Sequence, residues 1–198
     1  MTSKISDQKL LMSAREAFHA VFQSPDPFGE PFRANVSVRQ ILYPIDYELS
    51  EKQYAAIANA ARSLGEATAF FTETEGYQKG VGFEDWDHWQ IDLCDYPYQA
   101  LRNLEWCSLM ESAIYSTCGT WGLIISHEQH AVIGGSPGFI KILNSNLPGV
   151  ENQIQEFLSA WKYNRDHLGS DVVWLQKALA HIYGTEKAQW LLADAWGN

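Results

Sequence analysis

His127-Glu128-Gln129-His130 puts two imidazoles and a carboxylate within four residues, and these are the side chains that most often move protons or hold zinc. The spacing argues against a zinc helix, whose two histidines stand four apart on one face. Here they are three apart, between β-like runs, with Gly134-Gly135 close behind. A hairpin tip accounts for the cluster, and no metal is expected at His127, Glu128 and His130. His19, His88, His167 and His181 are scattered and read as structural or surface groups. Cys118-Gly119 on a turn offers a thiol, and Ser126-His127 offers a hydroxyl beside an imidazole. The G-x-S-x-G pattern that lifts a serine nucleophile onto a sharp turn is absent, and a turn-flanking thiol is the simpler reading of Cys118. Gly134-Gly135-Ser136-Pro137-Gly138 lacks the lysine of a phosphate loop and the spacing of a dinucleotide fingerprint, so it reads as a turn leading into Phe139-Ile140-Lys141-Ile142-Leu143. No cofactor is expected.

Charge is the least random feature. Between Glu66 and Asp95 stand eight acids and one base, Lys79, so this stretch carries most of the chain's net charge of -10. Tyr77, Phe83, Trp86, Trp89 and Tyr96 are interleaved with them. Asp85 and Asp87 lack the D-x-D-G spacing of a calcium loop. One reading is a solvated acidic loop that serves solubility. The sharper reading is a partner-binding face made of Glu73, Glu75, Glu84, Asp85, Trp86, Asp87 and Trp89. In it Trp86 is the aromatic anchor, and Glu84, Asp85 and Asp87 steer a basic protein. The same charge excludes a protein whose main task is gripping nucleic-acid phosphates or anionic lipid.

The elements that must hold these groups follow from periodicity. Leu11, Ala14, Phe18, Val21 and Phe22 recur at helical spacing within residues 7–22, and Pro25 and Pro27 stop that helix. Ser50-Glu51-Lys52-Gln53 has the spacing of a capping box opening a helix over 51–64. Asp95 and Pro97 read as the cap and first turn of a helix over 96–106, reaching about Cys107. Strands are expected near 36–43, 67–72, 87–93, 112–126 and 130–134, with hairpins at Cys118-Gly119-Thr120 and His127-Glu128-Gln129-His130. Residues 150–195 read as helical, broken at Gly169 and Gly184. This order predicts an α+β protein: a mostly antiparallel sheet with helices packed on one face and a helical C-terminal third. Residues 1–198 are expected to be one globular domain, with Phe18, Ile57, Leu101, Leu104, Trp121, Ile124, Phe157 and Leu175 in its core.

No apolar stretch of signal-peptide length follows Met1, and the longest pure aliphatic run is Leu123-Ile124-Ile125. Three cysteines, Cys94, Cys107 and Cys118, without a C-x-x-C pair suit reduced thiols. A cytoplasmic protein with no membrane association is the expectation.

The segment Thr120-Trp121-Gly122-Leu123-Ile124-Ile125-Ser126-His127-Glu128-Gln129-His130-Ala131-Val132-Ile133-Gly134-Gly135 resembles one in small uncharacterised bacterial proteins grouped with the immunity proteins of polymorphic toxins. The resemblance implies a bacterial protein-binding role and carries no catalytic assignment. The function expected is therefore an acidic protein-binding module, of the type of an immunity inhibitor of a basic toxin. The alternative is a small cytosolic enzyme using Cys118 or the His127/His130 pair. A third reading is an assembly subunit joined through Trp174, Trp190 and Trp196, for which ordinary core packing is the default.

Overall fold

Three runs in the middle of the chain are too short for helices and too apolar for loops, and they form the centre of the sheet. In the computed structural model, which describes residues 2–75, 80, 82–103 and 110–197, they are β5 (Ser112–Ser116), β6 (Gly122–Ile125) and β7 (Ala131–Gly135), joined by turns over 117–121 and 126–130. Their register is Ser112 opposite Ile125 and Ile125 opposite Ala131. Around them stand β1 (Ser3–Lys4), β2 (Val38–Leu42), β3 (Thr68–Glu73) and β4 (His88–Asp92), in the order β1-β4-β3-β5-β6-β7-β2 with every pair antiparallel.

Side chains alternate across this sheet, and both sets are buried. Phe71, Ile114, Leu123, Ile125 and Ile133 face α2 (Glu51–Ser63), α3 (Tyr98–Arg102) and α4 (Pro137–Asn146). Phe70, Tyr115, Ile124 and Val132 face α1 (Gln8–Val21), α5 (Val150–Tyr163), α6 (Val173–Tyr183) and α7 (Thr185–Trp196). The α+β class with an antiparallel sheet and a helical C-terminal third is as expected, but the helices cover both faces rather than one. Burial on both sides is also why the central strands read as unbroken apolar runs instead of alternating with polar residues.

Local signals explain most element ends. Ser50 caps α2 in a full capping box with Gln53, and Gly169 and Gly184, at φ 70° and 85°, end helical segments in the C-terminal third. Two expectations need correction. The glycine-rich turn at 134–138 opens a helix, α4, because Ser136 accepts a bond from Phe139 N and Pro137 fits the first helical position. The residue before α3 is Pro97 itself, with no side-chain cap, so Asp95 does not serve there. Leu104, Cys107, Tyr77 and Lys79 lie outside the described residues; the other expected core residues are buried.

Within the 120–135 segment the glycines are framework. A Cβ on Gly122 would stand 2.5 Å from the Phe22 ring, and one on Gly134, its cross-strand partner, 2.6 Å from a Val36 methyl. These paired glycines let the 22–36 segment lie directly on the sheet. The sheet edges are guarded: β1 has two residues, while β2 has Ile41 N donating to the Tyr183 hydroxyl and the adjoining Tyr43 N donating to Gln153.

Candidate functional site

The acidic segment runs down β3, through a 3-10 turn at Phe83–Asp85, and into β4. Its acids do not all face solvent alone. Lys4 Nζ lies 2.5 Å from Asp87, and Arg15 of α1 is paired with Glu84. Asp85 is exposed, while Glu73 and Glu75 are half-buried and engaged in further interactions. Trp86 is half-buried with its ring centroid 5.3 Å from Phe83 and 5.9 Å from Phe18, so it leans on the core instead of standing free. Trp89 is 1% exposed, packs on Phe71 and lies beneath the Lys4 ammonium. A ring so placed cannot touch a partner, and Trp89 drops out of the predicted face. The structure thus brings Glu84, Asp85, Trp86 and Asp87 together at one corner, sets the end of β3 with Glu73 and Glu75 beside it through the Glu73 N–H on the Asp87 carbonyl, and assigns Trp89 to the interior.

Behind the corner, His88 donates from Nε2 to the Phe83 carbonyl at 2.7 Å, Thr72 lies 2.9 Å from Nδ1, and Tyr115 completes the chain at 3.0 Å. Burial holds the His88 imidazole below the ordinary histidine range. A neutral ring with both nitrogens satisfied is a strut for the 3-10 turn.

The β6–β7 turn is the second region. It is closed by Ser126 N donating to the His130 carbonyl, by Glu128 N donating to Ser126 Oγ, and by Ile45 N donating to the Gln129 carbonyl. Gln129 takes the left-handed conformation at φ 60°. The two histidines then part company. His130 is 1% exposed, stacked on Trp174 and packed against Phe28 and Phe157. Burial pushes its pKa down to about 4. His127 turns outward, its side chain 38% exposed, with Nδ1 2.5 Å from Glu111 Oε1. Glu111, immediately before β5, is 3% exposed. Sequence reasoning missed it, although counting back from the 117–121 turn sets Glu111 opposite Ser126 and so beside His127.

The remaining expected groups do not converge. Cys118 sits in the β5–β6 turn and His127 in the β6–β7 turn, separated by the length of β6, about 13 Å at ~3.3 Å per residue. A Cys118–His127 pair is therefore ruled out by topology. Among the described residues no group of three histidine, cysteine or carboxylate side chains could hold a metal ion, and no helix is long and apolar enough to cross a membrane. Trp174 is half-buried in the His130 cluster, Trp196 donates to the Leu158 carbonyl under Arg165, and Trp190 is exposed. In comparisons with protein-family models, with curated proteins and with solved structures, nothing matches the chain.

Proposed function

We propose that this chain is an acidic protein-binding module, of the type of an immunity inhibitor, that receives a basic protein on the corner formed by Glu73, Glu75, Glu84, Asp85, Trp86 and Asp87. The observation that carries the reading is that two of these carboxylates already hold cations of the chain itself, Lys4 on Asp87 and Arg15 on Glu84, around a half-buried indole. Both pairs are solvent-accessible and so are weakly held, which lets incoming lysines or arginines exchange with them. Trp86 would supply the buried contact and the acids the speed of encounter.

The test is to purify the chain with the products of the genes that flank its own and to measure association over a range of salt. A basic product should bind with an association rate that falls as salt rises. Reversal of Glu84, Asp85 and Asp87 to lysine should slow association about tenfold or more and flatten the salt dependence, while Trp86→Ala should mainly speed dissociation. A partner that binds the triple variant as fast as the parent at low salt would end the proposal.

A further inference from the structure

We propose that His127, backed by the buried Glu111 carboxylate, is a general base that activates water against uncharged carboxylic esters. The site adjoins the acidic corner, since Thr74, between Glu73 and Glu75, donates to the Glu111 carbonyl, but it does not depend on the binding role proposed there.

The geometry is that of an oriented imidazole. Glu111 accepts the Nδ1 proton at 2.5 Å, which fixes the tautomer and leaves the lone pair on Nε2, the nitrogen of a ring that is 38% exposed. Glu111 is held in turn: Thr74 N donates to its carbonyl at 3.0 Å, fixing the backbone against the end of β3. The three turn bonds at 126–130 and the left-handed Gln129 keep His127 from swinging away. This end of the sheet is unusually polar for an interior. Thr74, Glu111, Ser112, Ser126 and His130 are all buried there, and among the described residues the hydroxyls of Thr74 and Ser112 have no hydrogen-bond partner. Such groups cost stability wherever they lie, so their gathering at one end of a well-packed sheet points to a role beyond packing.

The surroundings select the substrate. Glu111 and Glu128, whose Oε1 is 3.7 Å from Nε2, repel an anionic phosphate ester. They also stabilise the imidazolium formed when the base takes up a proton. The Phe28 ring, 5.4 Å from the imidazole, provides an apolar wall for an acyl or aryl group. In the step proposed, His127 Nε2 takes a proton from water as the water oxygen bonds to the carbonyl carbon and the carbonyl π pair moves onto its oxygen. That pair re-forms the double bond as the carbon–oxygen bond to the leaving group breaks, the electron pair of that bond stays on the departing oxygen, and the imidazolium gives its proton to that oxygen, which leaves the carboxylic acid and the alcohol. Glu111 is a positioning residue: it never touches the ester and acts by holding the tautomer.

The probe is 4-nitrophenyl acetate, with 4-nitrophenyl phosphate as the anionic control. The parent should release nitrophenolate from the acetate roughly 10²-fold faster than His127→Gln, the lower end of what a positioned base contributes, with a normal solvent deuterium isotope effect and no burst. It should not turn over the phosphate. His127→Gln retains an amide donor for Glu111, so its circular dichroism should match the parent's. Glu111→Gln presents an N–H to Nδ1, moves the proton to Nε2, and should lower the saturating rate rather than the half-saturating concentration. Equal rates for parent and His127→Gln would overturn the proposal. So would a stoichiometric burst without an isotope effect, which marks acylation of the imidazole itself.

Discussion

The acidic corner and the β6–β7 turn both place ionisable groups beside aromatic rings, yet the two are built in opposite ways. At the corner the charges lie outside: Glu84 and Asp87 pair directly with cations from the N-terminal segment at the surface, and the rings of Phe83 and Trp86 pack beneath them. At the turn the charge lies inside: Glu111 is buried and the imidazole it orients is the part that meets water. Exposed pairs are cheap to exchange and suit recognition, whereas a buried carboxylate holding an imidazole is expensive to disturb and suits a fixed geometry. Charge density along the chain therefore points to the first region and says nothing of the second.

The largest effect that would sharpen this contrast lies within the corner itself. Trp89→Ala removes a ring that is 1% exposed and should cost about 3–5 kcal/mol, while Trp86→Ala, whose ring is only partly buried, should cost about half as much. Urea unfolding of the two variants checks it. Equal losses would mean that Trp86 is as much a core residue as Trp89, and the corner would lose its anchor.

The next effect tests the inward side of the turn. With a folded pKa of about 4, His130 is neutral in the native state, but an unfolded histidine titrates near 6.5. Between those values the unfolded chain binds a proton that the native chain refuses. Stability therefore falls as pH drops from about 6.5 to about 4 and levels off below. The contribution is about 3 kcal/mol at roughly 1.4 kcal/mol per pH unit. His181, also pushed down to about 4 by burial and by Arg39, acts in the same direction from a more exposed position. The stability difference between pH 7 and pH 4 should accordingly shrink by about 3 kcal/mol in His130→Leu. An unchanged difference would show that the aromatic cluster around His130 opens to water before the imidazole is charged.

How much of this was legible in the sequence depends on range. The capping box at Ser50 and Gln53, the helix-ending glycines and the two hairpin turns are decided by residues within a few positions, and each is where the pattern puts it. The covering of both sheet faces was hidden because a doubly buried strand has no polar phase to read. Trp89 reads as part of the binding face only because it lies in the acid-rich stretch, but the strand turns His88 and Trp89 to opposite buried faces. Arg15 and Glu84 are 69 positions apart, and no local pattern links them. Glu111 was within reach of the β5–β6 register but carries no motif of its own.

The smallest effect concerns the corner's own cations. Lys4→Ala and Arg15→Ala each remove one exposed ion pair, and exposed pairs contribute about 0–1 kcal/mol, so unfolding midpoints should scarcely move. Association with a basic partner should respond instead. The two substitutions strip two positive charges from the corner and leave Glu84 and Asp87 open to the incoming protein, which deepens the local negative potential within one Debye length, about 10 Å at 0.1 M salt. The double variant should therefore bind a basic partner faster than the parent at low salt, and the gain should vanish as salt is raised. It is the opposite sign to the lysine reversal of Glu84, Asp85 and Asp87, and the pair of results separates steering from damage to the fold, since damage slows association in both cases. A double variant that binds more slowly, with an unchanged unfolding midpoint, would mean that Lys4 and Arg15 belong to the contact surface and that the partner's complementary groups are acidic.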